Sequence, residues 1–199
     1  MGSSTIHRVC VFCGSHHGRR PVYRETAVAL GRALAERGIT LVYGGGSVGL
    51  MGDVADATLQ SGGHVVGVIP ERLATSEFMH EGLTELHVVD SMHERKAMMS
   101  ELADGFVALP GGFGTLEETL EVITWGQLRL QSKPIGLLDV EGYFAGLVAL
   151  VDHAVAEGFI DTRHRHIFVT ETRVEALLDC LETYEPESPP LGPLGMEGR

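Results

Sequence analysis

Lysine is almost missing from this chain: Lys96 and Lys133 are its two lysines in 199 residues. Asp and Glu number 27 against 15 Lys and Arg, for a formal net charge of −12. Nucleic-acid surfaces neutralise phosphates with Lys and Arg, so a broad one is ruled out, while a single locally positive pocket is not. Cysteine is scarce as well. Cys10, Cys13 and Cys180 form an odd set with no disulfide-framework spacing, which suits a reducing compartment, and a cytoplasmic location is expected. Cys10 and Cys13 make a C-x-x-C, but no second pair follows, and a strand sends positions i and i+3 to opposite faces. A metal or redox role is therefore disfavoured. His80, His87 and His93 are scattered without ligand spacing, and no metal site is expected. No apolar run reaches about 18 residues, so no membrane span is expected. The first residues carry no apolar core of a secretion signal.

What the chain does have is alternation. Near-continuous apolar runs at Arg8–Cys13, Thr40–Tyr43, His64–Ile69, Phe106–Leu109 and Pro134–Leu138 read as strands buried on both faces. Glu85–Val89 and Ile167–Thr170 read as two shorter ones. Helical spacing appears over Tyr23–Arg37, Leu50–Ser61, Asp90–Ala103, Glu118–Leu130, Gly142–Glu157 and Val174–Thr183. Strand and helix taking turns is the pattern of a doubly wound, Rossmann-like parallel sheet in a single α/β domain, here over 1–184. Residues 185–199 are rich in Pro and Gly and read as a disordered tail. Pro70–Glu81 is irregular and reads as a loop over the site.

The densest signal is Leu109 to Glu121, L-P-G-G-F-G-T-L-E-E-T-L-E. An apolar strand meets a glycine-rich turn that opens directly into a helix. Gly111, Gly112 and Gly114 carry no Cβ, so the backbone can take positive φ and a ligand can come close. The first helical N–H groups lack partners and, with the helix dipole, seat an anion, most often a phosphate. Thr115 reads as the helix cap, with Glu117 and Glu118 in the first turn. A carboxylate there gains from the dipole, so Glu118 is either a first-turn acid or a catalytic one.

A second glycine-rich turn, Y-G-G-G-S-V-G-L-M-G, starts at Tyr43. It has the look of a dinucleotide fingerprint, but no acid ends the following strand, and NAD is disfavoured. Gly45 and Gly46 are candidates to line a crevice shared with the first turn. At the end of the first strand Ser15 is a candidate ligand contact, and His16-His17 read as solvated loop histidines. Ser91 or Asp90 can cap the helix that carries Arg95 and Lys96. Both cations lie near its start, where the dipole disfavours them. Either they form a solvated charged face, or an anion or acidic groups lie opposite. The residues alone lead to a phosphate-binding α/β domain whose pocket suits a nucleotide.

Two separated motifs then carry a resemblance. Pro110 to Glu118, P-G-G-F-G-T-L-E-E, matches the P-G-G-x-G-T-x-x-E signature of Lonely-guy proteins, and M-H-E-R-K from Met92 to Lys96 matches their second motif. E-V-I-T-W, V-I-P, Y-G-G-G-S-V-G-L-M-G and D-x-x-G-Y are similar to the family at fitting spacings, and the likeness covers about residues 6 to 160. It implies a cytokinin riboside 5′-monophosphate phosphoribohydrolase, in which water cleaves the N-glycosidic bond to give an adenine-type base and ribose 5-phosphate. It implies that AMP is often accepted too, that no cofactor or metal is needed, and that the chain is a homodimer. Carried over by motif, Arg95 and Glu118 match the catalytic pair. Lys96, Gly112, Phe113, Gly114, Thr115, Leu116, Glu117 and Thr124 match substrate contacts, as does Glu77 in the loop before M-H-E-R-K. His16-His17 departs from the Ser/Pro-like residues expected there.

Two other readings compete. A pyridoxal-phosphate lysine decarboxylase, the older label for such proteins, needs a Schiff-base lysine, and Lys96 sits beside Arg95 in the phosphate region. A non-catalytic nucleotide or molybdenum-cofactor carrier would use the same fold without turnover, and the presence of both Arg95 and Glu118 speaks against it.

Overall fold

The first strand, β1 (Arg8–Phe12), lies at the centre of the sheet and is paired on both sides. It runs parallel to β2 (Thr40–Tyr43) on one side and to β5 (Gly105–Ala108) on the other. Around it, in a computed structural model that describes residues 6–75 and 78–185, seven parallel strands stand in the order β4-β3-β2-β1-β5-β6-β7. The others are β3 (Val65–Pro70), β4 (Glu85–Val89), β6 (Ile135–Leu138) and β7 (Phe168–Glu171). Every pairing is parallel. Strands β3, β5 and β6 are buried at every position, as expected where helices cover both faces.

Helices α1 (Pro21–Glu36), α2 (Gly49–Gln60) and α6 (Val174–Glu182) pack on one face, through Leu30, Leu34, Leu50, Val54, Leu177 and Leu181. Helices α3 (Met92–Leu102), α4 (Phe113–Gln127) and α5 (Ala145–Ala156) cover the other, with Met99, Val122 and Leu147 against Phe106 and Phe168. Cys10 and Cys13 fall into opposite cores, as the strand period requires, and burial pushes both thiols up. No helix among the described residues is long and apolar enough to cross a membrane.

Element boundaries follow the sequence pattern except at two helix starts. The helix expected from Gly142 begins at Ala145. Glu141 and Gly142 have φ of 55° and 73°, a left-handed turn that no helix admits. The helix after the P-G-G turn begins at Phe113, capped by Gly112 without a side-chain bond. Thr115 is therefore not the cap, and Glu117 and Glu118 lie beyond the first turn. Nor do Gly111, Gly112 and Gly114 take positive φ. The expected tail falls on residues outside those described, apart from Glu185.

In this strand order the chain leaves β1 toward β2 and later crosses to β5 on its other side. The loops after β1 and β5 therefore diverge and open a crevice at the carboxyl ends of the strands, where ligands of such sheets bind.

Candidate functional site

Arg95 and Glu118, 23 residues apart, meet at this crevice: Arg95 Nη1 donates to Glu118 Oε1 at 2.5 Å. The side chains are 12% and 11% exposed, so solvent screens the pair little. Arg95 is fixed from two further directions, with Nε donating to the Val68 carbonyl at 3.2 Å and Nη1 facing Met92 Sδ at 3.4 Å. Helix α3 presents it reliably because Ser91 Oγ accepts from Glu94 N–H while the Glu94 carboxylate accepts from Asp90 N–H. Burial pushes the Glu118 carboxyl above the usual glutamate range, and Arg95 pulls it only part of the way back. Lys96 lies one residue along and bonds Glu117 at 2.6 Å and Glu121 at 3.0 Å. The acids of α4 thus compensate the two cations that sit awkwardly at the start of α3.

The turn after β5 is braced from several sides. Gly14 N–H donates to the Pro110 carbonyl at 3.1 Å, and the Tyr143 hydroxyl donates to the Gly111 carbonyl. A Cβ on Gly111 would stand 2.1 Å from Thr115 Oγ1 and 2.8 Å from Gly14 N. Around Gly112 and Gly114 there is nothing within 4 Å of a built Cβ, so this side of the α4 N-terminus is open to a ligand. Phe113 projects into solvent, 92% exposed, while Thr115 is buried beneath Gly111. Leu116 packs into the core below α4 and does not face the crevice.

Across the crevice, Gly44 and Gly46 line a mostly apolar cavity of about 390 Å³ together with Met51, Ile69, Leu73, Phe78, Met92 and Arg95. Gly45, with φ of 73°, turns its back on the cavity and packs on Ile69 of β3. Ser15 lines this cavity and two neighbouring ones. Thr124 is not brought here. It sits on α4 facing a groove against α5 lined by Leu120, Leu147 and Val151, and its hydroxyl bonds the Leu120 carbonyl. Glu77 falls outside the described residues. Among the described residues no cluster of three or more His, Cys, Asp or Glu could hold a metal.

Three residues of the site were not among the candidates the sequence offered. Gly44 gives the Arg95 side chain room, Tyr143 braces the Gly111 carbonyl, and Asp53 is a buried carboxylate on α2. Asp53 had a readable signal, an acid between the buried positions Leu50 and Val54. Gly44 had none beyond its place in a glycine run.

Comparison with known proteins decides the family. Residues 51–181 match the family described as "possible lysine decarboxylase". A probable cytokinin riboside 5′-monophosphate phosphoribohydrolase of Oryza sativa subsp. japonica is 55% identical over 183 residues, 92% of this chain and 81% of that protein. The chain belongs to the Lonely-guy family. A cytokinin riboside 5′-monophosphate phosphoribohydrolase of Arabidopsis thaliana is 53% identical, over 92% of this chain and 85% of its own length. The fold extends further than the Lonely-guy proteins. The molybdenum cofactor binding protein of Rippkaea orientalis superposes with a TM-score of 0.68 at 19% identity, over 90% of this chain and 98% of that one. At that identity the likeness carries the architecture alone.

Proposed function

We propose that this protein is a cytokinin riboside 5′-monophosphate phosphoribohydrolase that releases an adenine-type base and ribose 5-phosphate from its nucleotide. The observation that carries this reading is the buried Arg95–Glu118 pair standing between an open helix N-terminus and an apolar cavity. The N-terminus of α4, at Gly112, Phe113, Gly114 and Thr115, seats the 5′-phosphate on unpartnered N–H groups. The apolar cavity takes the base. Its lining of Met51, Ile69, Leu73, Phe78 and Met92 favours a prenylated adenine over the plain one, because burying a prenyl arm gains about 0.8 kcal/mol per CH₂.

Cleavage of the N-glycosidic bond passes through an oxocarbenium-like cation. The ionised Glu118 lies where it can stabilise that charge and orient the attacking water, whose proton it accepts and then yields to the departing base nitrogen, so that water adds across the broken bond. Arg95 keeps the carboxylate ionised and aimed. The phosphate anchor holds the sugar in place, so binding energy remote from the broken bond positions the reacting centre. Lys96 orients Glu117 and Glu121, which places it one step back from the substrate. Schiff-base chemistry is disfavoured: Lys96 is held by two carboxylates, and Lys133, bonded to the Ser100 carbonyl, lies before β6 at the other end of the sheet.

A second copy of the chain fits the face of α4 and α5. Leu120, Leu128, Leu130, Leu150 and Phe159 are 43–85% exposed there, and Thr124 lies on the same face. A homodimer through it covers that apolar surface and offers Thr124 to the partner's crevice.

The test of the reaction is to incubate the purified protein with isopentenyladenosine 5′-monophosphate and with AMP, then measure free base and ribose 5-phosphate. Release of both products, with kcat/KM higher for the prenylated nucleotide, is expected. Tight binding of either nucleotide without any free base would return the carrier reading.

A further inference from the structure

Both cations expected at the phosphate seat are committed to acids, Arg95 to Glu118 and Lys96 to Glu117 and Glu121. The seat must still hold a dianion close to a buried carboxylate in a chain of net charge −12. Among the described residues, the three cavities along this edge are lined by just three basic side chains, Arg95, His16 and His17. His17 faces an acid: its Nε2 lies 3.1 Å from Oδ2 of the buried Asp53, without hydrogen-bond alignment, while Asp53 Oδ1 accepts from Arg24 Nε at 3.0 Å. That leaves His16. Among the described residues it makes no ion pair, and its Nδ1 lies 3.2 Å from Ser15 Oγ, a neutral partner. It lines the cavity that contains Gly111 and Gly112 and also the one that contains Arg95.

The backbone beneath His16 has little freedom. Gly14 carbonyl accepts from Leu50 N–H at 3.0 Å, and a Cβ on Gly49 would stand 2.3 Å from His16 N. The loop after β1 is therefore pressed onto the start of α2, and the next residue faces Asp53.

We propose that His16 is the side-chain donor to the 5′-phosphate, set opposite the α4 N-terminus beside the His17–Asp53–Arg24 contacts. This rests on the nucleotide reading above and names the side chain that completes its anion site. With the Ser15 hydroxyl donating to Nδ1, the ring proton lies on Nε2, and Nε2–H is left for a phosphate oxygen. His17 and Asp53 act through the loop and are positioning residues.

Equilibrium titration of the full chain with ribose 5-phosphate and, separately, with adenine tests this without requiring turnover. His16→Ala should weaken ribose 5-phosphate about 10-fold, the scale of one charge-assisted hydrogen bond, and leave adenine affinity where it was. His16→Lys should recover most of the loss. Asp53→Asn, which loosens these contacts, should weaken ribose 5-phosphate alone and by less. Unchanged ribose 5-phosphate affinity in His16→Ala overturns the proposal. So does an equal loss for both probes, a Lys variant as weak as the Ala one, or a wild-type chain that does not bind ribose 5-phosphate. A wild-type chain that binds it, with the expected His16 effects, yet cleaves no nucleotide would sink the hydrolase reading and leave the His16 assignment standing.

Discussion

Arg95 crosses the bare backbone of Gly44 so closely that a methyl group there would stand 2.0 Å from its Nη2. The turn after β2 thus sets where the guanidinium lies, although the two residues are 51 positions apart. Gly44 does not have positive φ, so alanine is conformationally acceptable, and the clashing atom is the far end of a flexible side chain. Gly44→Ala should therefore push Arg95 off Glu118, with the melting temperature falling by no more than it does in Arg95→Ala, where the carboxylate loses its cation altogether. A fall in kcat/KM of about 100-fold is expected, the scale of a misplaced catalytic group. An unchanged rate would mean that the Arg95 position is not critical.

In the proposed reaction Glu118 must be ionised, and burial raises its pKa above the ordinary value of 4.5. The acid limb of the kcat/KM profile should lie above the range of an exposed glutamate. For stability the sign is that of a raised group. The folded state holds the proton more tightly than the unfolded chain, so the favourable contribution is complete below the unfolded pKa and is lost as pH rises through the folded one. Arg95→Ala removes the group that offsets this and should cost about 3 kcal/mol where Glu118 is charged. Thermal melts should accordingly show a larger loss for Arg95→Ala at pH 8 than at pH 5. Equal losses at both would mean that Glu118 is not the group being left unpaired.

Neighbouring glycines of the P-G-G turn separate folding from binding. Gly111→Ala drives a Cβ to 2.1 Å from Thr115 Oγ1 and 2.8 Å from Gly14 N. The second contact is backbone and cannot swing away, so a loss of about 1–3 kcal/mol is expected. Gly112→Ala meets nothing within 4 Å and has φ of −90°. Its methyl enters the proposed phosphate seat, so KM should rise with the melting temperature unchanged. Circular-dichroism melts and nucleotide kinetics on the two variants check this. A Gly112→Ala enzyme with wild-type KM would move the phosphate elsewhere.

The sheet was legible because each strand from β1 to β6 except β4 is a short apolar run and the chain period switches cleanly between them. The convergence of Arg95 on Glu118 was legible through paired motifs, not through any single stretch. The role of Thr115 was misjudged because Gly112, three residues earlier in the chain than the first side chain able to cap, already has the extended backbone a cap needs. The Gly44–Arg95 contact and the Asp53 contacts were not readable, since both depend on which loops the sheet order brings side by side. Thr124 illustrates the same limit in reverse. Its motif points to a substrate contact, yet within one chain it faces the groove under α5.

That groove leads to the last prediction. Helix α5 reads A-G-L-V-A-L-V-D-H-A-V-A, apolar on nearly every side, yet none of its residues is fully buried. Leu147, Val148 and Val151 pack on the sheet, which leaves Leu150 63% exposed. Leu120 and Leu128 of the α4 region, and Leu130 just beyond, extend the same exposed surface, with Phe159 at 85%. A stable dimer buries about 800 Å² per partner around such apolar anchors. Leu150→Glu places a charge in the middle of that surface without touching the core, so the folded chain should run as a monomer in sedimentation while its melting curve stays cooperative. If Thr124 serves the partner's crevice, the monomer should also lose activity, and Thr124→Ala in the dimer should raise KM without changing sedimentation. A Leu150→Glu protein that still sediments as the wild type does would place the interface on another face.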